Sequence, residues 1–288
     1  MGVLLEERIE ELRQNREHGG SWMARRAIEA LVETARAEAA SGEQLLDALT
    51  AAGRRLAQCR PSVAAIAGAV GRLLASAAAW AELEPAEFRH RLEQEAQALL
   101  DAHDRAPAAI AIQLRDRLQE AFVFTHSASA TVKEALLHNP PKRVLCTVSR
   151  PFEEGVRLAE ELREHGLAVE LVEDINAPER LQEASLLLLG ADTVFLDGTL
   201  LNKIGTRRLA EAAALQGIPV VVACEVIKVA PSEPETAPED ETTDLTPPDL
   251  IEFFMTEEGP YQPEEIRTLV DRTPFLQDGH ALLRGPRP

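Results

Sequence analysis

Gly190-Ala191-Asp192-Thr193-Val194-Phe195-Leu196-Asp197-Gly198-Thr199-Leu200-Leu201-Asn202-Lys203-Ile204-Gly205-Thr206 is the stretch on which the fold turns. The four leucines before it, Leu186 to Leu189, form an unbroken apolar run, as a strand buried on both faces requires. A second apolar run, Val194-Phe195-Leu196, follows at once, and Asp197-Gly198 then turns the chain. Asn202, Lys203 and Thr206 next place an amide, an ammonium and a hydroxyl close together, ahead of a helical segment from Arg207 to Leu215. Polar groups and glycine between a buried strand and a helix are the ingredients of an anion site, because the helix start presents free N–H groups. The plainer reading is an ordinary strand-to-helix connection.

Strands and helices alternate on either side. Ala121 to Thr125, Arg143 to Thr147, Ala168 to Val172 and Val220 to Ala223 read as strands. Ser129 to Leu137, Phe152 to His165 and Pro178 to Ala184 read as the helices between them, with His165-Gly166 ending the second. Leu250 to Phe254 reads as a closing strand and Pro263 to Val270 as a last short helix. This alternation predicts a parallel, doubly wound sheet whose ligands bind at the carboxyl ends of the strands. Those ends carry Thr125-His126-Ser127, Ser149-Arg150, Asp192 with Asp197, and Glu225 with Lys228.

The first part of the chain has a different period. Val3 to Arg16, Trp22 to Ala40, Gln44 to Gln58, 62–80, Glu87 to His103 and Pro107 to Gln119 read as helices, with Ser21 and Ser41 as candidate caps. The expected architecture is therefore α/β, with a helical N-terminal domain over 1–118 and a Rossmann-like domain over 119–288. Ser232 to Pro248, rich in Pro, Glu, Asp and Thr, is expected to be a mobile acidic loop in the second domain, with a lid over the site as its functional alternative.

Composition narrows the function. The 288 residues are 45% hydrophobic and 27% charged, enough for a sizeable core, and no apolar run approaches the roughly 18 residues a membrane span needs. Glu6, Glu7, Arg8, Glu10 and Glu11 break up the start of the chain, so no signal peptide is expected and the location is read as cytoplasmic. A net charge of −18 excludes non-specific binding to a nucleic-acid backbone but leaves a local phosphate site open. Cys59, Cys146 and Cys224 lack the spacing of a zinc site or a disulfide framework and read as core residues.

Several of these motifs together resemble the family of the translation initiation factor 2B α, β and δ subunits, which includes methylthioribose-1-phosphate isomerase and ribose-1,5-bisphosphate isomerase. Gly190-Ala191-Asp192 with Asn202-Lys203-Ile204-Gly205-Thr206 is the most specific part of the likeness. Phe124-Thr125-His126-Ser127-Ala128-Ser129, Ser149-Arg150-Pro151 with Glu154-Gly155, Glu225-Val226-Ile227-Lys228, Thr256-Glu257-Glu258-Gly259 and Arg60-Pro61 carry the rest.

For the isomerase branches the resemblance implies an aldose–ketose isomerisation of a phosphorylated pentose. Such a reaction needs a group to take a proton, a group to return it, and cations for the phosphate. Asp192 stands where those branches keep a catalytic aspartate, and Ser127 stands where they keep a cysteine; His126 is a candidate helper. Arg150, Asn202, Lys203, Lys228, Arg60, Gly19, Gly20 and Ser129 are the implied substrate-binding residues. His18-Gly19-Gly20-Ser21 replaces an Arg-Gly-Ala-Gly loop, and Gly68 and Gly71 stand where an asparagine and an arginine are common, so the helical wall offers fewer phosphate donors.

Each residue also has a plain reading. Asp192 could bond local backbone, Ser127 and Ser129 could cap a helix, and His126 could be a structural histidine. The expected ligand is a phosphorylated sugar or a nucleoside monophosphate, and the expected assembly is a homodimer or higher homo-oligomer. No cofactor, metal, membrane or direct nucleic-acid contact enters the expected chemistry. The alternative reading is a non-catalytic sensor related to the initiation factor subunits, and a weaker third is a purely structural subunit.

Overall fold

The computed structural model describes residues 2–234 and 241–284 and contains two compact units. The first comprises Met1–Asp104, Ile227–Pro231 and Val270–Pro288; the second comprises Arg105–Val226 and Ser232–Leu269. This division differs from a single boundary at 118, because two later segments, one of them carrying Lys228, belong to the helical unit. No helix among the described residues is long and apolar enough to cross a membrane.

The helical unit holds α1 (Gly2–Gln14), α2 (Gly20–Ala35), α3 (Gly42–Cys59), α4 (Ala64–Ala78), the first part of α5 (Pro85–Gln113) and α12 (Pro274–Arg284). Ser41 caps α3 as expected, its side chain accepting from the Gln44 amide at 3.3 Å. Ser21 does not cap α2; Gly19 occupies that position and Ser21 lies inside the helix. Ala-rich α4 is buried along most of its length and is the centre of the unit's core. The last helix joins this unit because Gly71 of α4 and Gly279 of α12 let the two backbones touch, as a methyl at Gly71 would sit 3.0 Å from Gly279. Nothing in the 3.6-residue pattern of the final segment announces that partner. A further difference is that α5 runs on through Pro107, with the short α6 (Arg115–Leu118) after it. The sequence suggested a break before that proline, which removes one helical hydrogen bond.

The second unit is built on a seven-stranded sheet. Its strands are β1 (Phe122–Thr125), β2 (Arg143–Thr147), β3 (Val169–Val172), β4 (Leu186–Leu189), β7 (Val220–Ala223), β9 (Phe253–Thr256) and β10 (Gly259–Tyr261). In space they run β3-β2-β1-β4-β7-β9-β10, all parallel except the terminal β10. The connections carry α7 (Ala130–His138), α8 (Glu154–Glu164), α9 (Ala177–Arg180) and α10 (Thr206–Gln216), while α11 (Ile266–Arg272) follows the sheet. The expected mostly parallel α/β sheet is present. Its first six strands have the order of a dinucleotide-binding fold, and the order reverses between β1 and β4. A crevice opens at such a reversal because right-handed crossovers send the two halves' helices to opposite faces.

A second, three-stranded sheet is the main addition to the sequence reading. It is made by β5 (Thr193–Val194), β6 (Leu200–Lys203) and β8 (Thr243–Thr246), paired antiparallel in the order β5-β6-β8. The turn expected at Asp197-Gly198 joins the first two strands, with Gly198 at φ +84°. The acidic stretch 232–248 is therefore not a loop throughout. Its end pairs with β6, and Thr243 and Thr246 are buried there. Residues 235–240 of that stretch, where a lid was the alternative, lie outside the described residues.

Candidate functional site

In the second unit the residues singled out by sequence gather at the carboxyl ends of β1, β2 and β4. Ser127 follows β1 in a left-handed turn, at φ +63°. Ser129 caps α7, its Oγ accepting from the Val132 amide at 3.3 Å. Gly190 ends the neighbouring β4 and packs on Ser129: a methyl added at Gly190 would sit 2.6 Å from Ser129 Oγ. Only glycine allows the Gly-Ala-Asp turn to come this close. Two residues on, half-buried Asp192 donates its amide to the Leu201 carbonyl at 3.1 Å, which fixes it beside Asn202 on β6.

The loop from Asn202 to Thr206 is held from every side. Asn202 Nδ2 donates to Thr206 Oγ1 at 3.1 Å, and Thr206 Oγ1 donates to the Lys203 carbonyl at 2.6 Å. His126 Nε2 meets the Ile204 carbonyl at 2.9 Å. Asp244 of β8 accepts from the Gly205 amide at 2.7 Å and the Arg207 amide at 3.2 Å. The helix start that sequence offered to an anion thus already carries a carboxylate of this chain; burial pushes the Asp244 carboxyl up, while the two amides pull it down. Gly205, at φ +101°, sits where an L side chain would be strained.

Lys203 has a buried partner. Its Nζ lies 2.7 Å from Glu154 Oε1 and 4.7 Å from the centre of the Phe152 ring, and the two charged side chains are only 7% and 15% exposed. Glu154 Oε2 is buried without a hydrogen-bond partner. Gly155 lets α8 deliver Glu154 here, since a methyl at Gly155 would sit 1.8 Å from the Thr147 carbonyl oxygen.

His126 is fully enclosed and both its ring nitrogens are engaged, Nδ1 by Thr147 Oγ1 at 2.7 Å. Burial lowers its pKa below the ordinary 6.5. The unfolded chain therefore takes up a proton below pH 6.5 that the folded chain refuses. The stability contributed by this histidine is complete above about pH 6.5 and is lost as pH falls toward the folded value, at up to about 1.4 kcal/mol per pH unit. The thermal midpoint is expected to fall more steeply from pH 6.5 to 5.5 in the wild type than in His126→Gln; parallel profiles would show that the ring is not held neutral.

Arg150 shares a cavity with this cluster but is paired elsewhere. Its exposed guanidinium pairs with Glu153 at 2.7 Å and Glu173 at 3.3 Å, while Asp174 accepts from the Ser149 and Arg150 amides at 2.9 Å each. Arg150, His126 and Asp174 line a cavity of about 450 Å³ together with Ile175, Ile204 and Arg208. Cys146 is no stand-in for a reactive thiol, because burial pushes it up to about 12.

The remaining sequence candidates belong to the helical unit. Gly19 caps α2, and a methyl at Gly20 would lie 3.6 Å from Lys228 Cε, so these two residues are neighbours. Lys228 is 4% exposed. Arg60 Nη1 donates to the Asn15 carbonyl at 2.8 Å, bracing the loop before Gly19.

Sequence reasoning quoted Ser149 and Glu154 within motifs without giving them a role, and it overlooked Thr147, Asp174 and Asp244. A usable signal was present for three of these: Thr147, Ser149 and Asp174 each follow an apolar run at a strand's carboxyl end. Asp244 had none, because its partner strand is about forty residues away in sequence.

The profile of the initiation factor 2 subunit family matches residues 16–241. Ribose 1,5-bisphosphate isomerase of Archaeoglobus fulgidus is 28% identical over 286 residues, covering 90% of each chain. The solved translation initiation factor eIF-2B of Pyrococcus horikoshii superposes with a TM-score of 0.79 at 26% identity, covering 90% of this chain and 97% of that one. The tetrameric eIF2B-beta2-delta2 complex of C. thermophilum gives a TM-score of 0.82 at 22% identity, covering 93% of each chain, and shows the shared fold.

Proposed function

The chain belongs to the initiation factor 2 subunit family, and on that premise we propose that it is an aldose–ketose isomerase acting on a phosphorylated pentose. The observation that carries the reading is the preformed loop after β6: Asn202 and Lys203 are pinned in place, and the Asp192 backbone is bonded to the neighbouring Leu201 carbonyl. Lys203 and Asn202 hold the phosphate. Asp192 takes the proton from one carbon of the sugar and returns it to its neighbour, passing through an enediol-like state. Ser127 assists by hydrogen bonding to the oxygen on which charge develops. A hydroxyl is a far weaker acid than a thiol, whose ordinary pKa is about 8.5, so this chemistry is slower than a cysteine at the same place would support. The similarity to an archaeal ribose 1,5-bisphosphate isomerase along nine-tenths of the chain supports the substrate class.

One observation favours a second reading, a silent sugar-phosphate sensor. Carboxylates of the chain itself already occupy the amides after β2 and before α10, and Glu154 already neutralises Lys203. A thermal-shift series with ribose 1,5-bisphosphate, ribose 5-phosphate, nucleoside monophosphates and inorganic phosphate, run beside a turnover assay, separates the two. Stabilisation with turnover supports the isomerase, and stabilisation without turnover supports the sensor. A midpoint that no phosphate ester moves sinks both.

A homodimer is proposed with either reading. It is supported by the apolar Ile175 and Ile204, 68% and 43% exposed, which stand among charges of both signs on the sheet unit. Sedimentation tests it, and a mass of one 31.5 kDa chain at every concentration would refute it.

A further inference from the structure

Three side chains and two backbone groups at the ends of β1 and β2 form one hydrogen-bonded line. The Ser127 amide donates to Ser149 Oγ at 2.8 Å, and Ser149 Oγ lies 2.6 Å from Thr147 Oγ1. Thr147 Oγ1 lies 2.7 Å from His126 Nδ1, and His126 Nε2 lies 2.9 Å from the Ile204 carbonyl. The Ile204 carbonyl, together with a neutral ring, fixes the direction of the bonds between His126 and Ser149. A carbonyl can only accept, so His126 carries a proton on Nε2. The Ser127 amide takes one lone pair of Ser149 and leaves its proton, which has the Thr147 hydroxyl at 2.6 Å and the Thr147 carbonyl at 3.3 Å within reach. A neutral ring accepts at Nδ1, so Thr147 donates to it and accepts from Ser149. Each hydroxyl is satisfied once as donor and once as acceptor, and the burial of His126 favours the same neutral ring.

We infer that Thr147 and Ser149 are positioning residues for this site. They fix the tautomer of His126, which holds the Lys203-Ile204-Gly205 turn by its carbonyl, and they hold Ser127 in its left-handed turn. Ser149 is itself left-handed, at φ +66°, and Asp174 fixes its amide at 2.9 Å, so the hydroxyl is aimed before any ligand arrives. His126 is on this account a positioning group rather than a proton carrier, since neither ring nitrogen is spare. The kinetic consequence rests on the isomerase reading; the hydrogen-bond line does not.

The test uses the full-length protein in two arms. Nitrogen-15 spectra of histidine-labelled protein, with His126 assigned by His126→Gln, are expected to show a neutral ring protonated on Nε2 at pH 7. A proton on Nδ1, or on both nitrogens, overturns the line. In the second arm, Thr147→Val removes the hydroxyl at nearly constant shape. It is expected to lower kcat on ribose 1,5-bisphosphate about tenfold, the effect of losing one buried hydrogen bond. KM should move less than about threefold, because Glu154 still clamps Lys203, and Thr147→Ser should restore the rate. Wild-type kcat in Thr147→Val, or equal losses in the Val and Ser variants, overturns the positioning role. A wild type that binds sugar phosphate but turns none over removes the kinetic role together with the isomerase reading, and the spectrum still decides the line.

Discussion

Asp192→Asn is expected to lower kcat on ribose 1,5-bisphosphate by about a thousandfold while KM changes by less than about threefold. General base catalysis by a positioned carboxylate contributes about 10² to 10⁴ in rate, and an amide of the same shape cannot take the proton. In the proposed isomerase the phosphate is assigned to other groups, Asn202 and Lys203, so binding should survive. The hydrogen bond that the Asp192 backbone N–H donates to the Leu201 carbonyl is indifferent to the substitution. A parallel rise in KM would mean instead that Asp192 binds the ligand and does no chemistry. An unchanged kcat would remove Asp192 from the reaction.

Lys203→Met should be the most damaging single change to stability in the site, costing about 3–5 kcal/mol. The lysine and Glu154 are a buried pair 2.7 Å apart, and removing one partner leaves the other charge uncompensated away from water. The paired change Lys203→Met with Glu154→Gln removes the stranded charge and should recover at least half of the loss. Denaturant unfolding of the two single variants and the double variant measures this. Additive losses would show that the pair is not coupled. Both variants with methionine should also lose stabilisation by phosphate esters, whatever their own stability.

The sequence made the parallel sheet readable because its strands are buried on both faces. Leu186 to Leu189 and Val220 to Ala223 are uninterrupted apolar runs, with glycine and proline punctuating their ends, and both are fully buried strands. The N-terminal helices were readable from their 3.6-residue period, whereas the helix Pro274–Arg284 was not expected, since the last helix read from sequence ended at Val270. What stayed hidden depends on distant pairing. Leu200 to Lys203, the central strand of the small sheet, was not read as a strand, because with Asn and Lys following two leucines it has no alternation to show. It pairs with Thr193–Val194 on one side and with the distant Thr243–Thr246 on the other. Likewise the last helix carries an ordinary amphipathic pattern, and only the facing glycines 71 and 279 say where it packs.

The site divides in the same way. Asp192, Asn202, Lys203, Ser127 and Ser129 were legible because polar residues directly after apolar strand runs stand out. Their electrostatic partners were not. Nothing in their spacing announces that Glu154 engages Lys203, that Asp174 engages the Ser149 and Arg150 amides, or that Asp244 engages the start of α10. Arg150 shows the consequence, since its guanidinium is turned to Glu153 and Glu173.

The central claim is that this loop and Asp192 isomerise a phosphorylated pentose. The most direct measurement follows ribose 1,5-bisphosphate by phosphorus and carbon NMR in the presence of the purified protein, with Asp192→Asn alongside. Conversion to the ketose isomer by the wild type, at a rate far above that of the variant, is the expected result. No conversion by the wild type, or equal conversion by the two proteins, would contradict it.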